Sequence, residues 1–208
     1  MAVTPTLPRN AGPIALAAGA ALVVVDIGRY ITMDLDHRVE ASMRLGFQIT
    51  NIAYFFAFVG LAVALVALYW RQHEHAGRLG LTAFLFALLG TMTQAGNMWF
   101  DGFAGPWLAE VAPQVFAGEK TVTLQLGGLL SYALFALGWI LFGIAVLRAR
   151  SAPVLIGLAL VVGGVLGFNS GLAPYGIPIG LAVAAMGGWI LRSDRMDRTA
   201  PARVAAGA

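Results

Sequence analysis

In the stretch "GNMWFDGFAGPW", residues 96–107, a single carboxylate, Asp101, stands among four aromatic rings where a long apolar run ends. A carboxylate at such a place needs a partner or a purpose, because ionised groups are costly in hydrocarbon. The chemistry open to it is proton transfer, with Asp101 as general acid or base and Trp99 and Phe103 as an apolar wall whose ring faces attract a cation. Gln94, Asn97 and Asp101 follow an i, i+3, i+7 spacing and therefore project from one helix face. Asp26 and Arg29, three residues apart near the N-terminus, form a second electrostatic element. They are spaced to pair with each other, and Arg29 is also the candidate partner for Asp101. Arg29, Asn51, Tyr54, Gln94, Asn97, Trp99, Phe103 and Asn169 are the expected ligand-holding residues, and Asp101 and Asp26 the expected catalytic ones.

The elements that position these residues follow from composition. Of 208 residues, 59% are hydrophobic and 11% charged, and the mean hydropathy is +0.80, outside the range of ordinary soluble domains. About 20 apolar residues cross a bilayer's hydrocarbon core. By that measure there are six candidate spans: Pro13 to Ile31, Phe47 to Trp70, Leu79 to Phe103, Val122 to Leu147, Pro153 to Phe168 and Gly176 to Leu191. Lipid does not tolerate unpaired backbone, and no stretch alternates as a strand does, so the expected fold is all-α. It is an integral membrane bundle of six helices in three hairpins, residues 1–192 forming one domain and 193–208 a disordered cytoplasmic tail. The apolar run after Arg9 resembles a secretory signal, but no small-x-small cleavage site follows it, and it is read as the first span.

Basic residues orient the bundle. With the N-terminus inside, nine of the 13 Arg and Lys residues fall in inner segments and four in outer ones, which predicts a cell-membrane protein with both termini cytoplasmic. Counting about 1.5 Å per residue from each inner boundary places Asp26, Asn51, Gln94, Asn97, Ser131, Tyr132, Asn169 and Tyr175 in one layer, roughly 24 to 30 Å out. Polar faces avoid lipid, so they are expected to converge on a pocket open to the extracytoplasmic side. Asn, Gln, Ser and Tyr also serve as interhelical hydrogen-bond glue, and Gly163-x-x-x-Gly167 and Gly176-x-x-x-Gly180 are close-packing surfaces of that structural kind.

Other signals point to less. Leu35, Val39 and Met43, spaced by four in Asp34 to Leu45, suggest a short amphipathic helix on the outer surface. Asp34, Asp36, His37 and Glu40 offer scattered oxygen and imidazole groups there, and His73-Glu-His75 reads as a solvated inner loop. No metal or cofactor is expected. There is no cysteine, no span lysine for a Schiff base, no phosphate loop and no span histidine to activate a serine. The basic balance reflects inner-leaflet orientation, not nucleic-acid binding. The expected partners are membrane lipids and a small apolar or lipid-like ligand.

The stretches "AGRLGLTAFLFALLGTMTQAGNMWFDGF" (76–103) and "LFALGWILFGIAVLRAR" (134–150) give the chain a resemblance to small multi-pass bacterial membrane proteins of unknown function. It is also similar in kind to membrane-bound terpene cyclases, small helical bundles in which acidic residues among aromatics protonate an isoprenoid and shelter the cation. That likeness implies a lyase-, cyclase- or isomerase-type reaction, with no residue-by-residue correspondence. The expectation is a membrane-embedded acid–base enzyme on a lipid or isoprenoid. An accessory or structural subunit, with the polar layer as packing only, and a small proton-coupled transporter are the alternatives.

Overall fold

A computed structural model describes residues 6–34, 36–170 and 172–205 of the chain. Among these residues every regular element is helical: α1 (Thr6–Arg9), α2 (Ala11–Thr32), α3 (Arg38–Met43), α4 (Leu45–Trp99), α5 (Gly105–Val111), α6 (Pro113–Ala117), α7 (Val122–Ala149), α8 (Val154–Leu166) and α9 (Ile177–Ala205). A π-helical turn, Phe100–Ala104, joins α4 to α5, and a 3₁₀ turn, Gly167–Asn169, follows α8.

A straight helix of the length of α4, 55 residues, would run about 80 Å. It is instead broken at Gly77, whose φ of 56° and ψ of −155° lie in a region almost closed to residues with a Cβ. The chain reverses there. Tyr69 and Phe84, 15 positions apart, stack with ring centroids at 4.3 Å, so the arms 45–76 and 78–99 lie side by side. The expected solvated loop at 73–75 is thus the helical end of the first arm, with His73 and His75 exposed.

Small residues let the helices approach closely. A Cβ on Gly19 would fall 2.4 Å from the Gly180 carbonyl oxygen, joining α2 to α9; one on Gly90 would fall 2.3 Å from the Phe135 nitrogen, joining the second arm of α4 to α7. Further contacts between α2 and α4, α7 and α8, and α8 and α9 close the ring. Its core is apolar, with Phe58, Leu61, Leu65, Phe135, Trp139, Phe142 and Ile179 buried. Large apolar side chains also cover the outside, among them Val24, Ile31, Phe56, Leu89, Leu130 and Leu155. Exposed apolar surface on that scale marks an interface with something other than water.

Three helical stretches among the described residues are long and apolar enough, by length and composition, to cross a membrane: Ala11–Thr32, Leu45–Val111 and Val122–Ala149. Val154–Asn169 is apolar but shorter. The amphipathic segment expected from Asp34 appears as the shorter α3, with Leu35 outside the described residues. The tail expected to be disordered from 193 lies partly on the helical continuation of α9 to Ala205 and partly, at 206–208, outside the described residues.

Candidate functional site

Helix α2 carries Asp26 and Arg29 one turn apart, yet they take different partners. Asp26 is fully buried. Its Oδ1 accepts the Tyr54 hydroxyl at 2.5 Å, and its Oδ2 accepts the backbone amides of Gly176 and Ile177, each at 3.1 Å. These amides begin α9, where helical N–H groups lack intrahelical acceptors and the helix dipole favours an anion. A carboxylate on the first long helix therefore caps the last one. Gly176 makes this approach possible, since a Cβ there would lie 2.5 Å from the Tyr54 hydroxyl oxygen. The Tyr54 oxygen also sits 2.7 Å from the Ser170 carbonyl, tying the first arm of α4 to the turn before α9.

The guanidinium of Arg29, 5% exposed, turns to the hairpin of α4. It donates to Asn51 Oδ1 on the first arm, meets the Met98 sulfur at 3.0 Å on the second and forms an ion pair of 2.9 Å with Asp101. It also lies 5.7 Å from the centroid of the Tyr54 ring, within cation–π range. Its Nε has no partner. The Asp101 side chain is 32% exposed and belongs to the π-turn, a deviation from the α-helix frequently found at functional sites. The expected pair of Asp26 with Arg29 is not formed; that between Arg29 and Asp101 is.

Gln94 is fully buried. Its side-chain oxygen accepts from Asn97 at 3.3 Å, and Asn97 also donates to Ser131 Oγ on α7 at 2.8 Å. The stripe thus divides, with Asn97 facing α7 and Asp101 facing Arg29. The Gln94 amide nitrogen and the Ser170 hydroxyl are buried without partners. Trp99 and Phe103 stack at 5.9 Å but stand exposed on the outside of the bundle, so the wall they form faces outward. Phe103 meets Phe55 edge to face at 6.4 Å. Asn169 closes the 3₁₀ turn half-buried, one residue before the carbonyl that meets Tyr54.

Sequence reasoning missed Met98, Ser170 and the two α9 amides. Met98 looks like any core methionine, and backbone groups carry no residue signal; Met98 stands at i+4 from Gln94, a spacing that puts the two on one helix face. Among the described residues no three His, Asp or Glu side chains gather as a metal site. Asp34 instead accepts the amides of Asp36 and His37 at 3.2 and 3.1 Å, and the His37 amide chiefly holds its carboxyl below the usual carboxylate range.

Chemically, the arrangement is a buried cation with a partly accessible carboxylate at its rim. The ion pair requires the ionised carboxylate, which is a base and a hydrogen-bond acceptor. Compared with known protein families, with curated proteins and with solved structures, the chain matches none.

Proposed function

We propose that the chain is a six-span protein of the cell membrane with both termini cytoplasmic, and that the layer around Arg29 binds a small lipid-like or isoprenoid molecule and acts on it by acid–base chemistry at Asp101. The observation that carries this reading is the Arg29–Asp101 pair, in which the cation is buried and the carboxylate is one-third exposed. A pair serving packing alone gains little from an open rim, whereas a reacting group must be reached. Asn51, Tyr54 and Met98 hold the guanidinium, which in turn orients the carboxylate, the support expected of a positioned base. The six-span topology is supported by the far end of the bundle, where the Arg71–Asp194 ion pair and the bond from Ser151 to Gln72 at 2.8 Å gather the ends of three apolar segments beside basic residues.

The test is mass spectrometry of small molecules that co-purify in mild detergent, with turnover of the retained species then followed in wild type and in Asp101→Asn. Retention of an apolar species that wild type converts and the variant does not is expected. Full conversion by a folded Asp101→Asn variant overturns the reading. Reporter fusions at both ends should report the cytoplasm.

A second reading, an accessory subunit whose layer only packs, is favoured by Asp26, whose two oxygens are taken up by Tyr54 and the α9 amides. It predicts stable association with a larger complex.

A further inference from the structure

At the end of the bundle opposite Arg29, a cavity of about 290 Å³ opens between the ends of α4's first arm, α7 and α9. That volume is at the small end of ligand sites. One wall is apolar, with Leu68 and Trp189; the other carries Arg71, Gln72, Arg150 and Ser151. His75 also lines it.

Gln72 is 4% exposed. Its side-chain oxygen is taken by the Ser151 hydroxyl, while its amide nitrogen, a buried donor, has no acceptor. Such an orphan donor is destabilising unless a ligand or water accepts from it. Arg150 ends α7 in the left-handed region, at φ 51° and ψ 32°, its backbone amide bonded to the carbonyls of Val146 and Leu147, while its guanidinium forms no hydrogen bond or ion pair among the described residues. Arg71 is held at 2.5 Å by Asp194, the one carboxylate bonded at this rim among the described residues. The cavity therefore presents one unpaired guanidinium, a second shared with Asp194, and an unused buried donor, all beside an apolar wall. Arginine forks and amide donors match the several acceptor oxygens of a phosphate.

We infer that this cavity binds the phosphate group of a small phosphorylated molecule, whose apolar portion lies against Leu68 and Trp189. Two sources supply that chemistry: the headgroup of an anionic phospholipid and a soluble phosphate monoester. The site is separate from the Arg29 layer and does not depend on its function.

The full-length protein is placed in nanodiscs of mixed phosphatidylglycerol and phosphatidylcholine, and bound lipid is read by native mass spectrometry. In parallel, glycerol 3-phosphate is titrated by calorimetry. Arg150→Gly removes the guanidinium while suiting the positive φ, so its fold should hold; Gln72→Met removes the donor with little change of volume. Selective retention of phosphatidylglycerol, weakened about tenfold in each variant, supports the inference with lipid as the source. Saturable glycerol 3-phosphate binding, weakened likewise, supports it with a soluble ester as the source. Binding of neither probe, or binding unchanged in both variants, overturns it.

Discussion

Asp101 and Arg29, 72 residues apart in the chain, meet at 2.9 Å at the rim of the polar layer. The contact joins the first long helix to the turn after the hairpin, and the same guanidinium reaches Asn51. One side chain thus links α2 to both arms of α4.

Breaking this pair should separate stability from function. Removing one partner of a fully buried ion pair costs about 3–5 kcal/mol, and replacing both with apolar groups is often neutral. Because Asp101 is one-third exposed, Asp101→Leu should cost about 2 kcal/mol, discounted for screening. The double variant Arg29→Met/Asp101→Leu should melt closer to wild type than Asp101→Leu alone, and still bind no ligand. Thermal unfolding in detergent, with co-purified ligand measured on the same samples, checks both.

Asp26 is expected to behave differently. Asp26→Ala leaves the Gly176 amide without an acceptor in the interior, while the Tyr54 hydroxyl keeps the Ser170 carbonyl and the Ile177 amide the Pro174 carbonyl at 3.3 Å, and should cost about 1–3 kcal/mol. Tyr54→Phe should cost about 1–2 kcal/mol. Protection of the α9 amides in hydrogen exchange should fall with Asp26→Ala and much less with Asp101→Asn.

Two glycines are position-specific. Gly77→Ala forces a Cβ into a region that costs about 1–3 kcal/mol and should loosen the hairpin. Gly176→Ala should be worse still, because its Cβ collides with Tyr54 and Asp26. Limited proteolysis near residue 77 distinguishes the first, which opens the turn, from the second, which opens the end of α9.

The segment before α3 should show a small pH dependence. The folded carboxyl of Asp34 titrates below its ordinary value, so its contribution is full above the unfolded value of about 3.9 and is lost as pH falls through the lowered one. The protection of the Asp36 and His37 amides, taken relative to intrinsic exchange at each pH, should fall on acidification in that window, and Asp34→Asn should abolish the change.

Much of this site was legible in the sequence. Depth counting along apolar segments puts Asp26, Asn51, Gln94 and Asn97 in one layer, because helical rise is fixed; Arg29 is a candidate partner for both Asp26 and Asp101, and spacing alone does not choose between them. What it could not supply was direction. Asp26 and Arg29 share a face by spacing, yet Asp26 is drawn to the exposed amides of α9, a feature of tertiary placement. Asn97 turns to Ser131 while Met98 takes the place beside Arg29, and Trp99 and Phe103 point outward. The π-turn at 100–104 alters the register in which Asp101 is presented, and no residue pattern announces it. The turn at Gly77 was expected only as a loop between spans, whereas helix continues almost to the reversal itself.

The most direct test of the central claim is an experimental structure of the protein purified in lipid nanodiscs, with Asp101 and its surroundings resolved. An elongated apolar density is expected, its polar end within hydrogen-bonding distance, about 3 Å, of the Asp101 carboxylate, with Arg29 still at its side. Annular lipid alone, with Asp101 closed on Arg29 and nothing else within reach, would contradict it.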